Sequence, residues 1–62
     1  MVLRRGSKGE EVKQLQKALG IAADGIFGAG TEAVVKKFQQ DNGLDYDGVV
    51  GRKTWEKLTY FT

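Results

Sequence analysis

The chain has no cysteine and no histidine among its 62 residues. Disulfide staples are therefore excluded, and the usual zinc ligand sets are missing. Serine occurs once, at Ser7, so the nucleophile-and-base pair that covalent catalysis needs is not available. No apolar run approaches the ~18 residues of a membrane span. The opening Met1-Val2-Leu3-Arg4-Arg5 has no apolar signal-peptide centre. An excess of one charge is lacking too: ten Lys and Arg against eight Asp and Glu leave +2. That balance argues solubility and little else.

What remains must fold by close packing of a small core. A chain of this length buries only ~60% of the surface its unfolded form exposes. The candidate core is Leu3, Val12, Leu15, Leu19, Ile21, Ile26, Val34, Val35, Phe38, Leu44, Val49, Val50, Trp55 and Leu58. One domain over residues 1–62 is expected from that size.

The chain repeats itself. Asp24-Gly25-Ile26-Phe27-Gly28-Ala29-Gly30-Thr31 returns as Asp47-Gly48-Val49-Val50-Gly51-Arg52-Lys53-Thr54, 23 positions later. Both copies read D-G-x-x-G-x-x-T. The same shift places Gly20-Ile21 over Gly43-Leu44, and Val12-x-x-Leu15-Gln16 over Val35-x-x-Phe38-Gln39. The chain is about three units of helix followed by a Gly-rich apolar loop, a pattern expected when no unit can bury its apolar face alone.

Ser7-Lys8-Gly9-Glu10 fits a capping box that would start the first helix. From Glu10 to Leu19 the apolar residues Val12, Leu15 and Leu19 recur at helical spacing, with Ala18 beside them. Glu10 and Glu11 at the start and Lys17 near the end suit the macrodipole, and Gly20 is expected to stop the helix in a left-handed conformation. The loop that follows carries Ile21, Ile26 and Phe27, which would be wasted area on a surface connection. It is expected to lie over the helices, turned by Asp24-Gly25. Short extended pairing between Ile26 and Val49 is left open. The second helix should start within 28–31 and run to about Asn42, with Val34, Val35 and Phe38 inward, Ala33 alongside, and Asn42-Gly43 as the stop. The third, about Arg52 to Tyr60, presents Trp55 and Leu58, and Phe61 is expected to fold back. A helix so short must be held by packing. The fold class is all-α: a compact three-helix bundle with two apolar Gly-rich loops.

These residues resemble the peptidoglycan-binding-like domain. The resemblance rests on Leu3-Arg4-Arg5-Gly6-Ser7-Lys8-Gly9-Glu10-Glu11-Val12 with Leu15-Gln16, then the doubled D-G-x-x-G-x-x-T with Phe38-Gln39 between the copies, and Thr54-Trp55 with Leu58. It spans Leu3 to Leu58. The family often has proline after the Gly of each loop, where this chain has Ala29 and Arg52; proline there presets the first helical turn. The resemblance implies a non-catalytic module of bacterial or phage cell-wall hydrolases, endolysins included, that holds a covalently linked catalytic domain on peptidoglycan. It implies a location in the cell envelope or outside the cell, with export information in residues outside this chain, or release with a phage lysis enzyme. A similar domain in pro-segments of animal matrix metalloproteases need not bind wall polymer. The competing class is therefore a structural or regulatory module that packs against a partner enzyme and binds no glycan.

Other chemistry fares worse on the residues themselves. The eight carboxylates sit mostly in turns and helix starts, and a two-carboxylate hydrolase needs a walled cleft. Asp45-Tyr46-Asp47-Gly48 resembles the start of a calcium loop, but Val49 and Val50 occupy the fifth and sixth positions, where a ligand and a glycine are required. Arg52, Lys53 and Lys57 have Glu56 among them, which is not the basic stripe of a nucleic-acid binder. No cofactor, metal or nucleic acid is expected, and the chain should act as a monomer.

For a wall ligand, the candidate site begins where the repeat breaks. Ala29-Gly30 stand where the later unit has Arg52-Lys53, leaving the backbone of Gly28, Ala29, Gly30 and Thr31 unobstructed. Free amides at a helix start favour an anion such as a stem-peptide carboxylate; Thr31 would add a hydroxyl or serve as the cap. Tyr46 is the aromatic platform, Trp55 a packing residue by its spacing. Arg5 and Lys53 would pair with wall carboxylates. Gln16 and Gln39 match across the repeat and are expected to bond loop backbone.

Overall fold

Three helices form where the apolar spacing places them: α1 (Glu10–Leu19), α2 (Ala29–Asp41) and α3 (Arg52–Phe61). The computed structural model describes residues 2–61, with side chains described over 2–58. The expected fold-back of Phe61 falls outside those side chains. Among the described residues there are no strands, only two isolated bridges. Both later helices begin at the residue after the loop glycine, Ala29 and Arg52, so the chain enters each helix without the preset that a proline would give.

The start of α1 differs from the expected capping box. Gly9, at φ 123°, is the residue before the helix, and no side chain caps it. Ser7 is already committed elsewhere. Its N–H donates to the Arg4 carbonyl at 2.9 Å, its hydroxyl accepts from the Arg4 N–H at 3.1 Å, and its carbonyl accepts from the Phe27 N–H at 2.9 Å. Ser7 thus closes a turn over 4–7 and holds the first loop.

Both helix stops follow the expected pattern. Gly20 lies at φ 77° and Gly43 at φ 70°. The Ile21 N–H reaches back to the Gln16 carbonyl at 3.0 Å, and the Leu44 N–H to the Gln39 carbonyl at 2.8 Å. These are the long closing bonds of a Schellman motif, which satisfy carbonyls the helix leaves open.

The entry segment laces the two loops together. Leu3 and Val50 exchange both backbone bonds, at 3.1 and 2.7 Å, and the Gly6 N–H donates to the Phe27 carbonyl at 2.9 Å. The bridges are Leu3 with Val50 and Lys8 with Ile26. Ile26 and Val49 therefore do not pair with each other; the N-terminal segment supplies the partner strand edge for both loops.

The core consists of Leu3, Val12, Leu15, Phe27, Val35, Val50 and Leu58, with Ala18, Leu19, Phe38 and Trp55 packed against it. Phe27 was absent from the candidate core, yet it is 1% exposed, whereas Ile26 was included and is 53% exposed. Extended backbone explains the exchange: adjacent side chains point to opposite faces, and bonding on either side of Ile26 turns Phe27 inward. The second loop repeats this alternation, with Val50 buried and Val49 half-buried. Val34 and Ile21 are half-buried as well, and Ala33 is exposed.

Two amide clamps and the groove at the start of α3

Each D-G-x-x-G-x-x-T loop is fixed by one buried glutamine from the helix before it. Gln16 and Gln39 are each 1% exposed, so every polar atom they carry must find a partner or lose the hydration it had in water. The Oε1 of Gln16 accepts the Gly25 N–H at 2.9 Å. Its Nε2 faces the Asp24 Oδ1 at 2.8 Å, the Ile26 carbonyl at 3.0 Å and the Thr31 hydroxyl at 3.2 Å. Gln39 repeats the set: its Oε1 accepts the Gly48 N–H at 3.0 Å, and its Nε2 faces the Val49 carbonyl at 2.8 Å, the Thr54 hydroxyl at 3.2 Å and the Asp47 Oδ1 at 3.4 Å. Two amide protons meet three acceptors, so one contact in each set is shared.

This geometry explains why the repeat needs its residue types. A primary amide offers a donor and an acceptor on one planar group, so it can hold the N–H and the C=O of a single turn. The aspartate completes the turn: Asp24 Oδ1 accepts the Ile26 N–H and Asp47 Oδ1 the Val49 N–H, both at 2.9 Å. The Ile26 amide first, and the Gln16 amide second, hold the Asp24 carboxyl below its ordinary 3.8. Glycine follows because φ is 78° at both Gly25 and Gly48. A lysine of the preceding helix also crosses each glycine. A Cβ on Gly25 would lie 3.2 Å from the Lys13 Cε, and one on Gly48 would lie 2.9 Å from the Glu32 Cγ and 3.2 Å from the Lys36 Cε.

The expected backbone role of Gln16 and Gln39 is thus what the structure shows. Thr31 and Thr54 are its last members: both are buried, with their hydroxyls against the clamp. Thr31 is not the cap of α2, because Gly28 precedes the helix and no side chain caps it.

The remaining site residues fall in three places. Gly28, Ala29 and Gly30 form the open start of α2, where the backbone ladder begins with the Glu32 N–H donating to the Gly28 carbonyl at 3.0 Å. Ala29 and Gly30 are exposed. Arg5 is exposed on the turn over 4–7. Lys53 lines a groove of about 330 Å³ at the junction of the second loop with α3, together with Gly43, Leu44, Asp45, Asp47, Gly51 and Arg52, and with the buried Gln39 and Thr54. Tyr46 is 61% exposed between two residues of that lining. Asp45, Asp47 and Arg52 were not among the candidate site residues. The repeat comparison had already singled out Arg52-Lys53 as the place where the units differ, and the smaller side chains of the other unit were preferred instead.

A helical repeat with clamped loops and a polar, mixed-charge groove is the build of a small binding module. The chain matches the peptidoglycan binding domain family over residues 8–58, and it belongs to that family. It is 41% identical over 64 residues to the zinc D-Ala-D-Ala carboxypeptidase of Streptomyces albus G, covering 90% of this chain and 25% of that protein. It is 39% identical over 67 residues to the spore cortex-lytic enzyme of Bacillus cereus, covering 98% of this chain and 26% of that one. The chain thus spans about a quarter of these two curated relatives. Among solved structures, the SleB N-terminal domain superposes with a TM-score of 0.92 at 38% identity, over 97% of this chain and 90% of that chain. The fold is therefore that of a peptidoglycan-binding module found in cell-wall hydrolases.

Proposed function

We propose that this chain is a non-catalytic anchor that holds a linked hydrolase on peptidoglycan. The observation that carries the reading is the construction of the two loop–helix junctions. The buried glutamine amides and the exposed aspartates hold the loop backbone, and the buried threonine hydroxyls lie against those amides, which fixes the loop surfaces that would face the wall. In the full-length protein a catalytic domain would supply the chemistry, and the module would act in the cell envelope, outside the cell, or with a phage lysis enzyme. A monomer suffices for that role, and neither nucleic acid nor membrane is needed as a partner.

Within this reading, the open amides of Gly28, Ala29, Gly30 and Thr31 receive a stem-peptide carboxylate, with the helix N-terminus favouring the anion. The Thr31 side chain faces inward, so only its backbone takes part. Tyr46 offers a ring to the sugar, and Arg5 and Lys53 pair with further carboxylates. Such contacts are individually weak at the surface. Weak binding serves tethering, because a modest anchor raises the effective concentration of the linked enzyme on the wall. Titration with soluble muropeptides, followed through backbone amide shifts, tests the placement. Shifts at 28–31 are expected; unmoved signals there, with shifts elsewhere, would refute it.

A further inference from the structure

The groove at the start of α3 presents opposite charges that are not spent on each other. Asp45 and Lys53 both line it, and neither side chain makes a hydrogen bond or an ion pair among the described residues. Asp47 adds a second exposed carboxylate, one oxygen of which is held by the Val49 amide. The cations are placed against the local field. Arg52 and Lys53 open α3, whose first turn holds no acidic residue, and the N-terminus of a helix is its positive end. Arg52 is compensated by Glu56, its Nε donating to Oε1 at 3.2 Å; Lys53 is not. The corresponding turn of α2 carries Ala29-Gly30 and the acidic Glu32 instead.

We propose that this groove binds a zwitterionic amino-acid end, with Lys53 taking the carboxylate and Asp45, backed by Asp47, taking the ammonium. The matching element of peptidoglycan is the free end of a diamino acid in an un-cross-linked stem peptide, so the inference rests on the wall-binding reading and narrows it to the peptide. Neutral glycan offers neither charge. A stem that has accepted a cross-link has lost the amine to an amide bond. The groove would therefore favour stems whose diamino-acid amine has not been cross-linked.

The test uses a soluble stem tripeptide ending in diaminopimelate, followed through the amide shifts of Gly43, Leu44 and Arg52. Comparison probes are the same tripeptide acetylated on the terminal amine, the same tripeptide amidated at the terminal carboxylates, and a neutral chito-oligosaccharide. The unmodified tripeptide is expected to bind about three- to fivefold more tightly than either blocked form, the scale of one exposed ion pair. D45N should abolish discrimination against the acetylated probe only, and K53Q discrimination against the amidated probe only. Both side chains are exposed, so both variants should keep the wild-type circular dichroism, and a loss of folding alone cannot produce the crossed pattern. Equal binding of free and blocked peptides, or shifts with the oligosaccharide alone, would overturn this inference while purified sacculi still retain the protein. Failure of sacculi to retain it would overturn the wall-binding reading and this inference together.

Discussion

Replacing Gln39 by alanine should remove much of the stability of this domain although the residue is polar and sits on a helix. The side chain is 1% exposed and holds the Gly48 N–H, the Val49 carbonyl, the Thr54 hydroxyl and, more distantly, Asp47. Truncation strands the first two in a site that alanine cannot fill, and a buried orphan group costs ~1–3 kcal/mol. Adding the void and allowing for water entry, a loss of about 2–4 kcal/mol is expected. A chain of this length has only ~3–9 kcal/mol in total. The midpoint of thermal unfolding should therefore fall by roughly 10–30 °C. Gln40, the next residue, is exposed, and Q40A should change stability by less than ~0.5 kcal/mol. Urea and thermal melts of Q39A and Q40A side by side are the assay. If the two variants unfold within experimental error of each other, the clamp does not hold the loop as described. Q16A should be at least as damaging as Q39A, because its contact to Asp24 is 2.8 Å where that of Gln39 to Asp47 is 3.4 Å.

Neighbouring positions should respond very differently. F27A is expected to cost ~3–5 kcal/mol by emptying the core, and I26A well under 1 kcal/mol; comparable losses in urea melts would contradict the alternation. G48A combines a left-handed backbone with a Cβ 2.9 Å from Glu32, whereas G20A meets open space at a similar φ; the first should lose more than the ~1–2 kcal/mol expected of backbone strain alone, the second no more than that. The lowered Asp24 carboxyl makes stability depend on acidity. Its contribution is full above the unfolded value near 3.8 and is lost as pH falls through the lower folded value. Urea midpoints measured from pH 6 to pH 2 should fall at the acid end, and D24N should flatten part of that slope.

Helix positions were legible in the sequence because each rests on local signals. Apolar spacing set α1, and Gly20 and Gly43 ended two helices where the turn chemistry required it. The buried glutamines were legible for another reason: two copies of a pattern showed that position 16 and position 39 must do the same thing. Ser7 was misread because a capping box and a tight turn use the same hydroxyl, and the choice depends on Phe27, twenty residues away. Ile26 and Phe27 were not separable by composition. Which of two adjacent apolar residues faces inward is decided by the backbone bonds of that loop to Gly6, Ser7 and Gly9, and those bonds are tertiary. The groove itself was not legible, since Asp45 and Asp47 join Lys53 in one lining only after the second loop folds onto the start of α3.

Retention on purified, enzyme-free sacculi is the most direct check on the central claim. The folded chain should sediment with the wall, elute as ionic strength rises, and leave the sacculi turbid and uncut after prolonged incubation. A chain that stays in the supernatant at low salt, or that clears the suspension by itself, would contradict the reading of this domain as a passive wall anchor.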